Sequence, residues 1–289
     1  MTLIKTLKLY RQLSGPQKQF ITNSGIQSKM SARQWIRFFE PLCEFDENCD
    51  QARKPLWTIL IASGILVFLS FFILPTLGNT YATTMFYSVM GTFLLIFGVL
   101  LKRLHKNDIN NNIREVLYPL LHVLSLEVGN KKPIMLNINF AKKMQKKEIM
   151  PAADDSSPLK KGNNVYYEYE VLELSSTFLD QTKLTWKVVD KIRKRTRTNA
   201  RGKTKTKVKL KRKVYTEVSF NKALYSLNRN EHELPSSLGK VKVGENKITF
   251  RSVLKQTELG KTATIDRADM LSAVEGPYQY LTCKQGVAI

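Results

Sequence analysis

The apolar positions of this chain fall into three regimes along its length. From residue 55 to residue 101 there is no Asp, Glu, Lys or Arg. Two apolar runs fill that interval, Leu56–Leu74 (LWTILIASGILVFLSFFIL) and Thr84–Leu101 (TMFYSVMGTFLLIFGVLL). Each is close to the ~20 residues a helix needs to cross a ~30 Å hydrocarbon core. The stretch between them, Pro75–Ala82, is uncharged and rich in turn formers. The pattern therefore predicts a transmembrane hairpin over 55–102, with helices at about 56–74 and 84–101.

Ahead of the hairpin, residues 1–54 follow helical periodicity. Leu3, Ile4, Leu7 and Tyr10 recur at helical spacing, and Ser14–Gln17 breaks that run. A second helix is predicted from Ser31, as its N-cap, to Leu42. Trp35, Ile36, Phe38 and Phe39 make it aromatic. Such a helix suits either the membrane interface or packing on a soluble domain. Glu44–Gln51 is an acidic patch without the glycine and spacing of a calcium loop. Beyond the hairpin, 103–130 predicts a juxtamembrane helix, Ile109–Val128, capped by Asp108, kinked at Pro119 and ended by Gly129–Asn130.

From Lys131 the period changes to two. Pro133–Phe140 reads as a strand, 141–163 as a polar loop, and Val165–Thr177 as a strong strand with a phase slip near Glu173–Leu174. Asp180–Gln181 is a turn, and Lys240–Val243 with Asn246–Leu254 forms a hairpin about Gly244–Glu245. Ala263–Ile265 and Tyr278–Cys283 add short strands, and Asp266–Val274 a helical turn or two. The expected fold class is an α+β membrane protein: N-terminal helices, a two-helix hairpin, then a mostly antiparallel β domain over 131–289, a sandwich or open barrel.

The most informative stretch is 183–220, KLTWKVVDKIRKRTRTNARGKTKTKVKLKRKVYTEVSF. Leu184, Trp186, Val188 and Ile192, then Val208, Leu210, Val214 and Val218, hold even positions. Lys191, Arg193, Arg195 and Arg197, then Lys203, Lys205, Lys207, Lys209 and Lys211, hold odd ones. A three-residue loop, Ala200–Arg201–Gly202, keeps both faces in register, with Gly202 taking the left-handed position. The result is a long two-stranded arm. Its tip has nothing apolar to bury, so it is expected to project and to fray when free, because like charges repel across strands. Residues 191–213 contain 13 Lys and Arg and no acid.

Charge sharpens this picture. The chain has 289 residues, a net charge of +22 and a mean hydropathy of −0.24, so it is mostly soluble protein on an anchor. Arg53, Lys54, Lys102 and Arg103 border the apolar runs, which by the positive-inside rule places both termini in the cytoplasm of a two-pass protein. In bacteria this is the inner membrane. Cys43, Cys49 and Cys283 read as reduced thiols. No GxGxxG, GxxxxGK[ST], GxSxG or HExxH occurs, and no Cys or His pair has zinc spacing. Glu231–His232–Glu233 and Asp154–Asp155 lie in loop-like stretches.

No catalytic residue, cofactor or metal site is expected. The sequence points to a non-enzymatic anchoring or assembly subunit. Its candidate binding residues are Lys191, Arg193, Arg195, Arg197, Arg201, Lys203, Lys205, Lys207, Lys209 and Lys211. The expected partners are the bilayer, anionic lipid headgroups or an acidic protein surface. Two alternatives are a membrane-active or channel-like subunit that homo-oligomerises through its hairpin, and membrane-tethered, non-specific nucleic-acid binding. A two-stranded ribbon enters a major groove, whereas the tip lacks an aromatic residue on which single-strand bases stack.

Overall fold

The computed structural model describes residues 2–73, 80–129, 132–140, 163–198, 201–228, 234–258 and 266–284. Most of the predicted turn Pro75–Ala82, the polar loop, Ala200, Glu231–His232–Glu233 and the strand Ala263–Ile265 lie outside them. The fold is α+β. Its internal contacts divide the chain into two compact units, residues 1–22 with 38–110, and residues 23–37 with 111–289.

The first unit contains α1 (Thr2–Gln12), α2 (Gly15–Asn23, whose last residue groups with the second unit), most of α3 (Ala32–Ile73) and α4 (Thr80–Lys106). The sequence suggested a helix ending at Leu42 and a new one starting at Leu56. Instead α3 is one helix of 42 residues, with Pro41 and Pro55 inside it. The reason is a 3–4 spacing that runs straight through the acidic patch: Leu42, Phe45, Cys49, Ala52 and Leu56 are all buried. Their burial on one stripe outweighs the backbone bond each proline forfeits. Burial, helped by the charge of Asp46, pushes the Cys49 thiol up to about 12, so it stays protonated and unreactive at neutral pH.

At the polar end of the apolar stretch, Arg53 donates to both oxygens of Asp108 at 2.9 and 2.8 Å and also pairs with Asp50. Asp46 accepts from the backbone N–H of Ile109 at 3.2 Å. Asp108 is thus an ion-pair partner of α3, not the cap predicted for the following helix. Beyond these clasps both helices are long and apolar enough to cross a membrane, and only 11% and 6% of their apolar windows are buried. A core helix of a soluble domain has the opposite exposure.

In the second unit, residues predicted as one kinked helix form a π-helical turn, Ile113–Leu117, followed by α5 (Tyr118–Val128). Pro119 falls in the first turn of α5, where its missing N–H costs nothing. A seven-stranded sheet follows the order β1-β2-β3-β4-β5-β8-β7. Its strands are β1 (Gly25–Ser31), β2 (Pro133–Asn139), β3 (Asn163–Thr177), β4 (Lys183–Thr198), β5 (Thr204–Asn221), β7 (Lys240–Val243) and β8 (Lys247–Glu258). All its pairings are antiparallel. β6 (Tyr225–Leu227) and β9 (Leu281–Cys283) form a separate pair.

The sheet is open, with β1 and β7 as its edges, and not a sandwich or barrel. Helices supply its second layer. α6 (Arg267–Glu275) lies on β5, and Val123, Leu124, Trp186, Val274 and Tyr278 line a cavity of about 300 Å³ between helices and sheet. Ile134, Leu136, Leu174, Leu184, Val188, Val218 and Phe250 are buried on the inward face. Trp35 is also fully buried and donates from its indole Nε1 to the carbonyl of Ile134 at 3.0 Å. The aromatic helix around it is therefore a packing element, and the membrane-interface reading of Ser31–Leu42 is overturned.

Behind β4, the turn carboxylate Asp180 collects four hydrogen bonds. The Thr182 amide and hydroxyl donate at 2.9 and 2.7 Å, Tyr225 at 2.7 Å and Tyr278 at 3.0 Å. Burial works to raise the Asp180 pKa, but the bonds from Tyr225, Thr182 and Tyr278 outweigh it and hold it below the usual carboxylate range. Burial and Asp180 push both tyrosines up. A depressed carboxylate stabilises above its unfolded pKa of about 3.9, and that stability is lost as pH falls through the folded value. Urea unfolding at stepped pH checks this: Asp180→Asn is expected to lower stability at pH 7 and to flatten its decline below about pH 4.

Candidate functional site

The site is built on β3, β4 and β5. β4 and β5 pair from Lys183↔Ser219 to Thr198↔Thr204, the register implied by the three-residue loop. Gly202 has φ +73°, in the left-handed region. The odd positions share the outward face and place cations directly opposite one another in four consecutive rungs: Lys191↔Lys211, Arg193↔Lys209, Arg195↔Lys207 and Arg197↔Lys205. Opposed Cβ atoms in such a ladder are about 5 Å apart. Successive rungs on one face are about 6.8 Å apart, so the four span about 20 Å. Arg201 and Lys203 are exposed in the connection beyond the last rung.

One expectation about the arm fails. The arm is not a two-stranded ribbon, because β3 flanks β4 as far as Asn163↔Thr196. A bulge between Glu170 and Leu172 lets β3 do this, since it turns both Tyr167 and Leu172 inward. The strands are paired as far as Thr198↔Thr204. Tyr167, Ile192 and Leu210 form a small inward cluster, joined by Val165, Tyr169 and Val208. The hairpin lacks apolar surface of its own there, and β3 supplies it. Nearer the tip the inward positions are threonines, with Thr196 opposite Thr206 and a 3.2 Å hydroxyl contact between Thr198 and Thr204. β-Branched side chains favour the extended backbone, which offsets part of the repulsion on the other face.

One pair of charges in the arm faces inward. Asp190 and Arg212 are direct cross-strand partners, 2% and 4% exposed, joined by Nε to Oδ1 at 2.6 Å and Nη2 to Oδ2 at 2.7 Å. Arg212 therefore does not belong to the outward basic face.

β3 also divides the ladder electrostatically. Glu168 binds Lys191 at 2.7 Å, and Glu170 pairs with Lys187. These carboxylates hold both ammonium groups above their ordinary pKa. The Arg193 guanidinium lies 5.7 Å from the ring centroid of Tyr166. Past that rung, no carboxylate among the described residues pairs with Arg195, Arg197, Lys203, Lys205 or Lys207, and on β5 none pairs with Lys209 or Lys211 either. The charge density is thus lowest at the base of the sheet and highest at the tip.

Tyr166, Glu168 and the Asp190–Arg212 fork were not identified from the sequence. A signal existed for the first two. The outward residues of VYYEYE are Tyr166, Glu168 and Glu170, the complement of the lysines and arginine on β4. The base of the same face carries an open polar groove of about 560 Å³, lined by Thr185, Glu217, Ser219 and Asn221 among others. No cluster of His, Cys, Asp and Glu among the described residues is suited to a metal ion.

Fold and site together define an α+β protein with two exposed apolar helices and a graded basic sheet face. Comparison with protein-family models, with curated proteins and with solved structures returns no match to the chain.

Proposed function

We propose that this is a non-enzymatic, membrane-anchored protein that uses the tip of its sheet to hold an anionic partner. The observation that carries the reading is the run of opposed cations from Arg195↔Lys207 to Arg197↔Lys205, without a pairing carboxylate among the described residues. Like charges facing one another across strands destabilise a sheet. A polyanion relieves that cost on binding. The exposed apolar belts of α3 and α4 support the anchor, because hydrocarbon is the solvent in which such surfaces are stable. Lys54, Lys102 and Arg103 support cytoplasmic termini. Arg53 adds less to that argument, since Asp50 and Asp108 neutralise it.

Full-length protein in neutral detergent, applied to an immobilised sulfated polysaccharide, tests this. Changing Arg195, Arg197, Lys205, Lys207 and Lys209 to Gln is expected to lower the salt needed for elution sharply. A control with five changes at exposed Lys183, Lys240, Lys242, Lys247 and Lys255 should move it much less. Equal shifts in the two variants mean that overall charge binds, and that the ladder is merely solvated.

A further inference from the structure

We propose that the ladder's ligand is a single-stranded nucleic acid, its backbone lying along β4 and β5 and a base stacking on Tyr166. This rests on the polyanion-binding reading above and narrows it.

Shape is the first support. The cations without a pairing carboxylate make a stripe about 20 Å long on β5, from Lys205 to Lys211, and two strands wide, about 5 Å across, in its tip half at Arg195↔Lys207 and Arg197↔Lys205. Glu168, Glu170 and Glu217 occupy the same outward face toward its base, and each is engaged with a cation of that face. A plane of anionic headgroups laid across the face meets these carboxylates as well as the cations. A chain of phosphates following the strand direction meets only cations.

Width decides between duplex and single strand. With β3 alongside to Asn163↔Thr196, the arm is three strands wide almost to its tip. At about 4.8 Å per strand, plus side chains, it is broader than the ribbon that fits a major groove about 12 Å wide. A flexible strand lying on an open face has no such restriction.

Aromatic placement is the third support. Tyr166 pairs with Arg193, so its ring belongs to the outward face at the Arg193↔Lys209 rung. Arg193 already lies over that ring at 5.7 Å. Tyr215 is on the same face, opposite Lys187. An aromatic ring beside a basic groove is the arrangement that binds unpaired bases without regard to sequence. A planar guanidinium stacks on bases as well. Because Tyr166 lies on β3, outside the basic segment and across the turn from its partner Arg193, this ring is invisible in the basic segment itself.

The test uses full-length protein in neutral detergent, a fluorescent 12-nucleotide oligothymidylate, inorganic polyphosphate and phosphatidylglycerol vesicles. Oligothymidylate is expected to bind, and Tyr166→Leu to weaken it about 5- to 100-fold, as loss of one stacked base does. Tyr166→Phe keeps the ring and should bind as the parent does, which separates stacking from misfolding. Polyphosphate should bind the parent and Tyr166→Leu alike. If polyphosphate binds but oligothymidylate binds no better and ignores Tyr166→Leu, the nucleic-acid assignment is wrong and the ladder remains a general anion site. If only the vesicles bind, the partner is lipid and the assignment is equally wrong. If nothing anionic binds, the underlying reading fails with it.

Discussion

Asp190→Ala is expected to destabilise the protein by about 3–5 kcal/mol, far more than any change on the outward face of the arm. The carboxylate is 2% exposed and bridges both ends of the Arg212 fork. Its removal leaves a guanidinium buried without its counter-charge. Arg212→Ala should cost a similar amount. The double variant Asp190→Leu, Arg212→Leu should recover most of the loss, because an apolar pair carries no desolvation penalty. Urea unfolding of the detergent-solubilised chain measures all three. A loss below about 1 kcal/mol for Asp190→Ala would contradict the burial argument.

The fork has a second consequence. KTKTKVKLKRK repeats every two residues, so a two-residue slide of β5 past β4 keeps each of its lysines on the outward face. Alternation alone therefore does not fix the register. A slide in either direction takes Arg212 away from Asp190 and sets it opposite Val188 or Ile192. Both charges are then unpaired inside. The ion pair is thus the element that selects one register, and the Leu–Leu variant is expected to regain stability while losing register uniqueness, seen as doubled backbone NMR signals for β5.

The second large effect concerns the apolar belts. Ile65, 56% exposed near the middle of the apolar part of α3, is replaced by arginine. On the surface of a soluble protein such a change is worth about 0.5 kcal/mol or less. At the centre of a membrane helix it costs about 3 kcal/mol, a shift of about 100-fold in the insertion equilibrium. Resistance to alkaline carbonate extraction from membranes reads the difference. The parent is expected to stay with the membrane and Ile65→Arg to be released in large part. Release of the parent itself would contradict the anchor.

How much of this was legible in the sequence depended on where each element's determinants lie. The β4–β5 register was legible because the loop and both faces are local, and 16 rungs follow from one turn. The two apolar helices were legible because composition alone defines them. β1 was not, since GIQSKMS has little strand character and is extended only by its seven pairings to β2. The continuity of α3 was hidden because the acids and prolines were conspicuous, while the buried stripe from Leu42 to Leu56 included a cysteine and an alanine. Within the site, the cations could be listed from the sequence, but not which ones β3 neutralises. That depends on a pairing across residues 178–182 and on a bulge two residues before the phase slip the pattern suggested. Asp190 reads in the sequence as one acid beside many bases, although its even position places it inward.

The central claim is that the unneutralised rungs hold a polyanion. It is tested most directly by the salt dependence of polyphosphate binding to the full-length protein, with and without Arg195, Arg197, Lys205, Lys207 and Lys209. Each phosphate neutralised on a flexible strand contributes about −0.7 to the slope of log affinity against log salt. Replacing those five cations by Gln is therefore expected to make the slope shallower by about 3 to 4. An unchanged slope, or no measurable binding by the parent at low salt, would contradict the account.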